Sequence, residues 1–212
     1  MKISISFVLS LLLLTGCNAM TTSDKTGQTD SDGDPIYHKN PHPTQAYRIT
    51  MTIEDAPGPF GHVSGTAFYD MANYEQCTPV EPVAGVRTKS KEDGIPIRFQ
   101  KINEETYVAT IYVDGMVDAD YYGKGVCRFE LSGVGITLKA TGRREETRFQ
   151  PGLFKKDIYS GTPNVTYFWS GGYPRDKIEN YPDTGNSDPT QFKEELRNKL
   201  FKVTVVSTKE VP

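Results

Sequence analysis

Three cysteines, three histidines and one close set of aspartates are the residues of this 212-residue chain whose types and spacing bear on chemistry. The aspartates stand in Asp114-Gly115-Met116-Val117-Asp118-Ala119-Asp120-Tyr121-Tyr122-Gly123. Carboxylates this close admit three readings. Asp114, Asp118 and Asp120 can supply oxygen ligands to a hard divalent cation such as calcium. A pair of them can act as the acid and base of a glycosidase, a chemistry that needs no histidine. Or the segment is an exposed turn in which Asp118, Asp120, Tyr121 and Tyr122 contact a partner, since tyrosines beside acid form a rigid amphipathic surface of the kind favoured at interfaces. The packing alternative, with Tyr121 or Tyr122 in the core, stands beside that third reading. Of the histidines, His38 and His42 fall in a polar stretch unsuited to holding a base rigidly. His62 lies two residues from Ser64, on the same face if both are in a strand, but without an acid or an oxyanion hole the pair reads as a loop-edge histidine and a serine. The Gly-x-Ser-x-Gly turn of the common serine hydrolases is absent, and so are a Gly-rich phosphate loop and any His/Cys metal spacing. Asp30-Ser31-Asp32-Gly33-Asp34 imitates the start of a calcium loop, but the sixth and twelfth positions, which need Gly and Glu, hold Pro35 and Pro41. Neither a catalytic set nor a cofactor is expected.

The cysteines say more. Met1-Lys2 is followed by an apolar run of 12 residues, 3–14, and then by Thr15-Gly16-Cys17. A membrane-spanning helix needs about 20 apolar residues, so this run is a secretory signal and not a permanent span. Leu14-Thr15-Gly16-Cys17 resembles a lipobox, in which the cysteine thiolate takes a diacylglyceryl group and the chain is cut before it. An ordinary secretory signal with a chance cysteine is the competing reading. Buried acyl chains contribute about 0.8 kcal/mol per CH₂, so several chains anchor a protein firmly where one does so only marginally. Asn18, where an aspartate would signal retention in the inner membrane, leads to an expected location on the outer membrane, facing the periplasm. Lipid on Cys17 leaves Cys77 and Cys127, an even remainder that favours a disulfide in an oxidising compartment, the alternative being two buried free thiols. Closing a loop of that size stabilises by roughly 4 kcal/mol.

The net charge is −3, and removal of residues 1–16, which contain Lys2 and no other charged residue, leaves −4. No basic block of the kind nucleic-acid-binding domains carry is present. Residues 17–45 are rich in Thr, Ser, Asp, Gly, Asn, Pro and His and are expected to form a lipidated disordered tether, because so few large apolar side chains cannot offset the entropy of ordering. Its 28 residues after the cysteine would span on the order of 30 Å as a flexible coil. Folded structure is expected over 46–212. Tyr47, Ile49, Met51 and Ile53 alternate with Arg48, Thr50, Thr52 and Glu54, the period of a half-buried strand. Further strands are expected at 63–71, 95–101, 107–113, 126–140, 147–150, 165–169 and 201–207. Gly133 and Gly135 mark either a bulge or a split in the long one. Asp188-Pro189 opens the one expected helix, with Phe192, Leu196 and Leu200 on one face. The fold class that follows is mainly β: an antiparallel β-sandwich with one short C-terminal helix.

Three stretches also carry a family likeness: Ile53-Glu54-Asp55-Ala56-Pro57-Gly58-Pro59-Phe60, Asp118-Ala119-Asp120-Tyr121-Tyr122-Gly123-Lys124-Gly125-Val126-Cys127, and Val165-Thr166-Tyr167-Phe168-Trp169. With the lipobox, over residues 46–170, they resemble immunity lipoproteins that accompany type VI secretion phospholipase effectors. The resemblance implies a periplasmic protein that binds a bacterial lipase effector and blocks its active site or membrane-docking face, with the 118–123 turn as an inserting element. It assigns no inhibitory residue. A structural or assembly lipoprotein of the outer envelope is the alternative, and a hydrolase or ligand-binding lipoprotein a third class.

Overall fold

The computed structural model describes Thr29 and residues 34–210; the expected signal segment and Cys17 lie outside the described residues. Among the described residues eleven strands build two sheets. They are β1 (Ala46–Glu54), β2 (His62–Met71), β3 (Glu92–Ile97), β4 (Gln100–Lys101), β5 (Thr106–Tyr112), β6 (Phe129–Lys139), β7 (Arg148–Phe149), β8 (Gly152–Phe154), β9 (Asn164–Trp169), β10 (Pro182–Asp183) and β11 (Leu200–Lys209). The first sheet has the order β4-β5-β1-β11-β9, and the second β10-β7-β6-β2-β3, with β8 also pairing β6. All pairings are antiparallel except β10 with β7. Two short helices, α1 (Tyr74–Cys77) and α2 (Lys155–Ser160), interrupt the strands.

The two sheets pack face to face as a β-sandwich, and period-two alternation supplies its core. From the first sheet Ile49, Met51 and Ile53 of β1, Tyr107 and Ile111 of β5, Phe168 of β9, and Phe201, Val203 and Val205 of β11 point inward. From the second come Ala67 and Tyr69 of β2, Leu131, Val134, Ile136 and Leu138 of β6, Phe149 of β7 and Leu153 of β8. Phe149 joins the layers: its ring meets those of Phe60, Phe168 and Phe201 at centroid distances of 5.8, 5.5 and 5.1 Å, all edge-to-face. Helix α2 closes one flank, with Ile158 fully buried and Ser207 Oγ donating to its carbonyl at 2.5 Å. Among the described residues, no helix is long and apolar enough to cross a membrane.

The long expected strand 126–140 is one strand, β6, and its glycines mark a bulge. Pairing with β2 moves from Phe68↔Gly133 to Tyr69↔Leu131, which leaves Ser132 as the extra residue. Where β8 lies against β6, a Cβ on Gly152 would stand 2.5 Å from the Val134 carbonyl oxygen. Three expectations are corrected. The strand expected at 95–101 is divided between sheets: the chain leaves the second sheet after Ile97, turns about half-buried Phe99, and joins the first at Gln100. The C-terminal helix is two 3₁₀ turns, Pro189–Gln191 and Glu194–Lys199. Asp188 caps the first as expected, accepting from Thr190 N at 2.8 Å. Leu200, however, is already in β11 opposite Trp169, and neither turn buries a residue, so no apolar face supports an α-helix there. Finally, residues 34–45, expected as the end of the tether, lie packed against the domain. Tyr37 is wedged between Tyr121, edge-on at 5.1 Å, and the tilted ring of Phe129 at 5.0 Å. Lys39 bridges to Met116, and Asn40 N donates to Gly115 O at 2.8 Å. One tyrosine and a set of backbone hydrogen bonds order a stretch whose average composition favours a coil.

Phe149→Ala should lower stability by about 3–5 kcal/mol, the range for deleting a buried aromatic that leaves a cavity. Equilibrium urea unfolding followed by far-ultraviolet circular dichroism measures it.

Candidate functional site

The disulfide cysteines, the aspartates and the paired tyrosines gather at the end of the sandwich where β2 finishes and β6 begins. Cys77, at the end of α1, and Cys127, just before β6, are joined by a disulfide with a Cα–Cα distance of 5.3 Å. Around it Met71 and Tyr121 are buried, and Tyr37, Tyr74, Tyr122 and Phe129 are packed on as half-buried rings. This satellite core fixes the 113–128 excursion. Tyr121, expected as a partner contact, is only 6% exposed; its hydroxyl donates to Val117 O at 2.8 Å and accepts from His38 N at 3.1 Å. It therefore positions the turn from within. Tyr122 shares a 2.6 Å hydrogen bond with Tyr37, whose hydroxyl donates to Ser90 O at 2.7 Å. Burial pushes the phenols of Tyr37, Tyr121 and Tyr122 above the ordinary range, so they act here as neutral hydrogen-bonding groups.

The aspartates serve the backbone. Asp118 Oδ1 accepts from Phe129 N at 2.9 Å, and Asp120 Oδ1 from Lys124 N at 3.0 Å. Asp114 Oδ1 accepts from Gln45 N at 2.9 Å, and Oδ2 from Thr44 N at 2.9 Å and Thr44 Oγ1 at 3.0 Å. Burial raises the affinity of Asp114 for a proton, but these hydrogen bonds outweigh it and hold the carboxyl below its usual range. Among the described residues, no group of three or more His, Cys, Asp or Glu side chains is placed to hold a metal ion. His62 is exposed at the start of β2, opposite Lys139, and Ser64 lines a groove on the outer face of the same sheet.

That groove, of about 700 Å³, went unseen in the sequence. Its floor is the outer face of β2 and β6, where Gly135 leaves room for the Phe68 ring; a Cβ there would lie 2.9 Å from that ring. Its walls come from the β8–α2 corner and from residues 184–187, which pair through Asn186 with Tyr167 of β9. Asn164 reaches across to donate to Gly152 O at 2.8 Å. Hydroxyls and amides share the lining with apolar groups and with Lys156 and Asp157, and Phe68, 39% exposed, and Phe154, 69% exposed, stand at the rim. Such a surface offers a partner hydrogen bonds, aromatic contact and one charge of each sign from Lys156 and Asp157. Its residues come from strands remote in sequence, so only the exposed type of Phe154, standing before Lys155-Lys156-Asp157, was a signal.

The loop between α1 and β3 also escaped notice. Glu81 N donates to Val86 O and Gly85 N to Glu81 O, both at 2.8 Å, closing a tight turn with Gly85 at φ +68°. Val80, Val83 and Val86 project from it, 44%, 95% and 57% exposed. Its base is held by Arg87, whose guanidinium donates to Glu75 O at 2.5 Å, and by Tyr74, whose hydroxyl donates to Lys89 O at 2.7 Å.

No family model, no curated protein and no solved structure matches this chain.

Asp114→Ala should cost about 1–2 kcal/mol at neutral pH, because it strips acceptors from Thr44 and Gln45. A carboxyl depressed in the folded state stabilises above its unfolded pKa and loses that contribution as pH falls through the folded value. The difference between wild type and variant is therefore expected to be full at neutral pH and to vanish in strong acid. Thermal unfolding across that pH series reads it out.

Proposed function

We propose that this chain is a lipid-anchored periplasmic immunity protein that binds a phospholipase effector and blocks it, by a binding and not a catalytic action. The observation that carries the reading on the structural side is the open groove with Phe154 at its rim. It offers a partner segment a glycine-relieved floor, a hydrogen-bonding lining and an exposed aromatic anchor, the combination that concentrates binding energy at protein interfaces. The lipobox at Cys17 and the likeness of residues 46–170 to immunity lipoproteins supply the rest. An enzyme that attacks phospholipid must work at a bilayer. An inhibitor confined to the same surface meets it at a raised effective concentration, so modest affinity suffices for protection.

The test pairs the purified protein with the lipase it would protect against. Co-elution at micromolar concentrations and loss of lipase activity are the expected results. Phe154→Ala should weaken the complex about tenfold or more while leaving the unfolding midpoint unchanged, since the ring is mostly in solvent. No complex and full lipase activity would refute the proposal. Deletion of the gene offers a second arm: sensitivity to effector-bearing neighbours supports immunity, whereas loss of secretion without sensitivity supports the assembly role.

A further inference from the structure

We propose that the loop 79–86 is a second membrane contact, a three-valine tip that enters the bilayer beside the lipid anchor and sets the domain's orientation. The inference rests on the reading of Cys17 as the lipidated residue. Apolar exposure alone does not say what covers a surface; here the path of the chain does. Segment 34–37 runs along the base of this loop. Asp34 forms an ion pair with Lys89, Tyr37 donates to Ser90 O at 2.7 Å, and Thr29 bridges to Pro35. The polypeptide that leads back to Cys17 therefore leaves the domain at the foot of the valine turn. Between Cys17 and Thr29 there are 12 residue steps, at most about 40 Å of chain even if fully drawn out. An acylated Cys17 sits in the bilayer, so this end of the sandwich is the end kept near lipid.

The loop has the properties that shallow insertion needs. Val83 is almost wholly exposed and is flanked by Val80 and Val86; Pro79, Pro82 and Ala84 add no charge, and the one carboxylate of the turn, Glu81, folds back to accept from Val83 N at 3.4 Å. Glu81 N and Gly85 N are already bonded within the turn, so the tip brings few unsatisfied backbone donors into an apolar medium. The disulfide, Arg87 and Tyr74 fix the base, which limits the ordering entropy that insertion would otherwise incur. Shallow burial of a few apolar side chains is the usual way a peripheral domain adds to a lipid anchor, because one weak signal plus another makes a stable attachment.

The experiment uses the processed, acylated protein purified from membranes and reconstituted into phosphatidylethanolamine–phosphatidylglycerol vesicles, with and without acyl-chain bromination. Two variants are compared with wild type, whose own Trp169 provides the background: Val83→Trp, and Ile178→Trp as a control. Ile178 is 63% exposed near β10, towards the far end of β6. The expected result is a blue shift of the added emission in Val83→Trp and its loss on brominated lipid, with neither change in Ile178→Trp. Co-sedimentation with vesicles and the intact mass are recorded on the same samples. A chain without acyl groups that stays in the supernatant overturns the lipid-anchor reading and this inference with it. A chain that co-sediments while the tryptophan at position 83 remains in water and unquenched overturns loop insertion alone. Shielding of that tryptophan only when the lipase is added also overturns it and assigns the loop to the protein partner.

Discussion

Pairing of β1 with β11 is the constraint on which the rest of the structure hangs. Eight residue pairs, from Tyr47↔Lys209 to Glu54↔Lys202, place the first and last strands side by side in the middle of one sheet. Closing a loop of that length costs entropy, but the cost grows only with the logarithm of length. The return is two central strands whose inward residues, Ile49, Met51, Ile53, Phe201, Val203 and Val205, are almost completely removed from water. At about 25 cal/mol per Å² of apolar area, burial on this scale is the dominant favourable term. Every other strand is an insertion between these two, and the second sheet is held to the first because Phe149 and its aromatic neighbours need that inner face to be complete.

The far end of the second sheet has no such support. The excursions 72–91, from β2 to β3, and 113–128, from β5 to β6, would otherwise be tied to the sandwich only at their roots. The Cys77–Cys127 disulfide joins them, and Met71 and Tyr121 fill the space beneath. A cross-link of this loop size removes roughly 4 kcal/mol of freedom from the unfolded chain in the entropic picture. Tyr37 then adds the N-terminal segment to the same cluster, so the run 38–45, the valine turn and the aspartate turn are joined through shared contacts. Asp114 is the clasp: the carboxylate lies at the junction of β5 with that excursion and takes its hydrogen bonds from Thr44 and Gln45, just before β1.

The fold was legible in the sequence wherever one face of a strand is wet. β1, β2, β5, β9 and β11 alternate cleanly, and their expected limits lie within one or two residues of the observed ones. Cys77 and Cys127 were legible as a pair by arithmetic alone. Legibility failed where a few specific contacts override average composition. Tyr37 and Asn40 order a segment otherwise made of tether residues, and the spacing of Phe192, Leu196 and Leu200 suggests a helix that β11 pre-empts by claiming Leu200. At the candidate site, Tyr121 and Tyr122 have the same residue type and adjacent positions, so nothing local says that one is buried and its neighbour half-buried. That difference arises from Tyr37 and Phe129, residues distant in sequence. The groove is harder still, because its floor exists only once β2, β6 and β8 are in register and Gly135 has admitted the Phe68 ring.

The two candidate surfaces occupy different stretches of the same strand, and this separation has a mechanical consequence. Ser64, Thr66 and Phe68 of β2 line the groove, whereas Met71 leads into the disulfide end and the valine turn. Strands rise about 3.3 Å per residue, so the middle of the groove lies on the order of 17 Å along β2 from that end. A domain seated on lipid through the valine turn would then hold the groove clear of the headgroups, at a height set by the sandwich and not by the tether. The disulfide, Tyr37 and Asp114 tie that end of the domain together, so its position relative to the groove is set within the sandwich. An inhibitor built this way can face an enzyme lying on the same membrane without releasing its own hold, which a domain on a free coil achieves only in the small fraction of orientations that happen to present the groove.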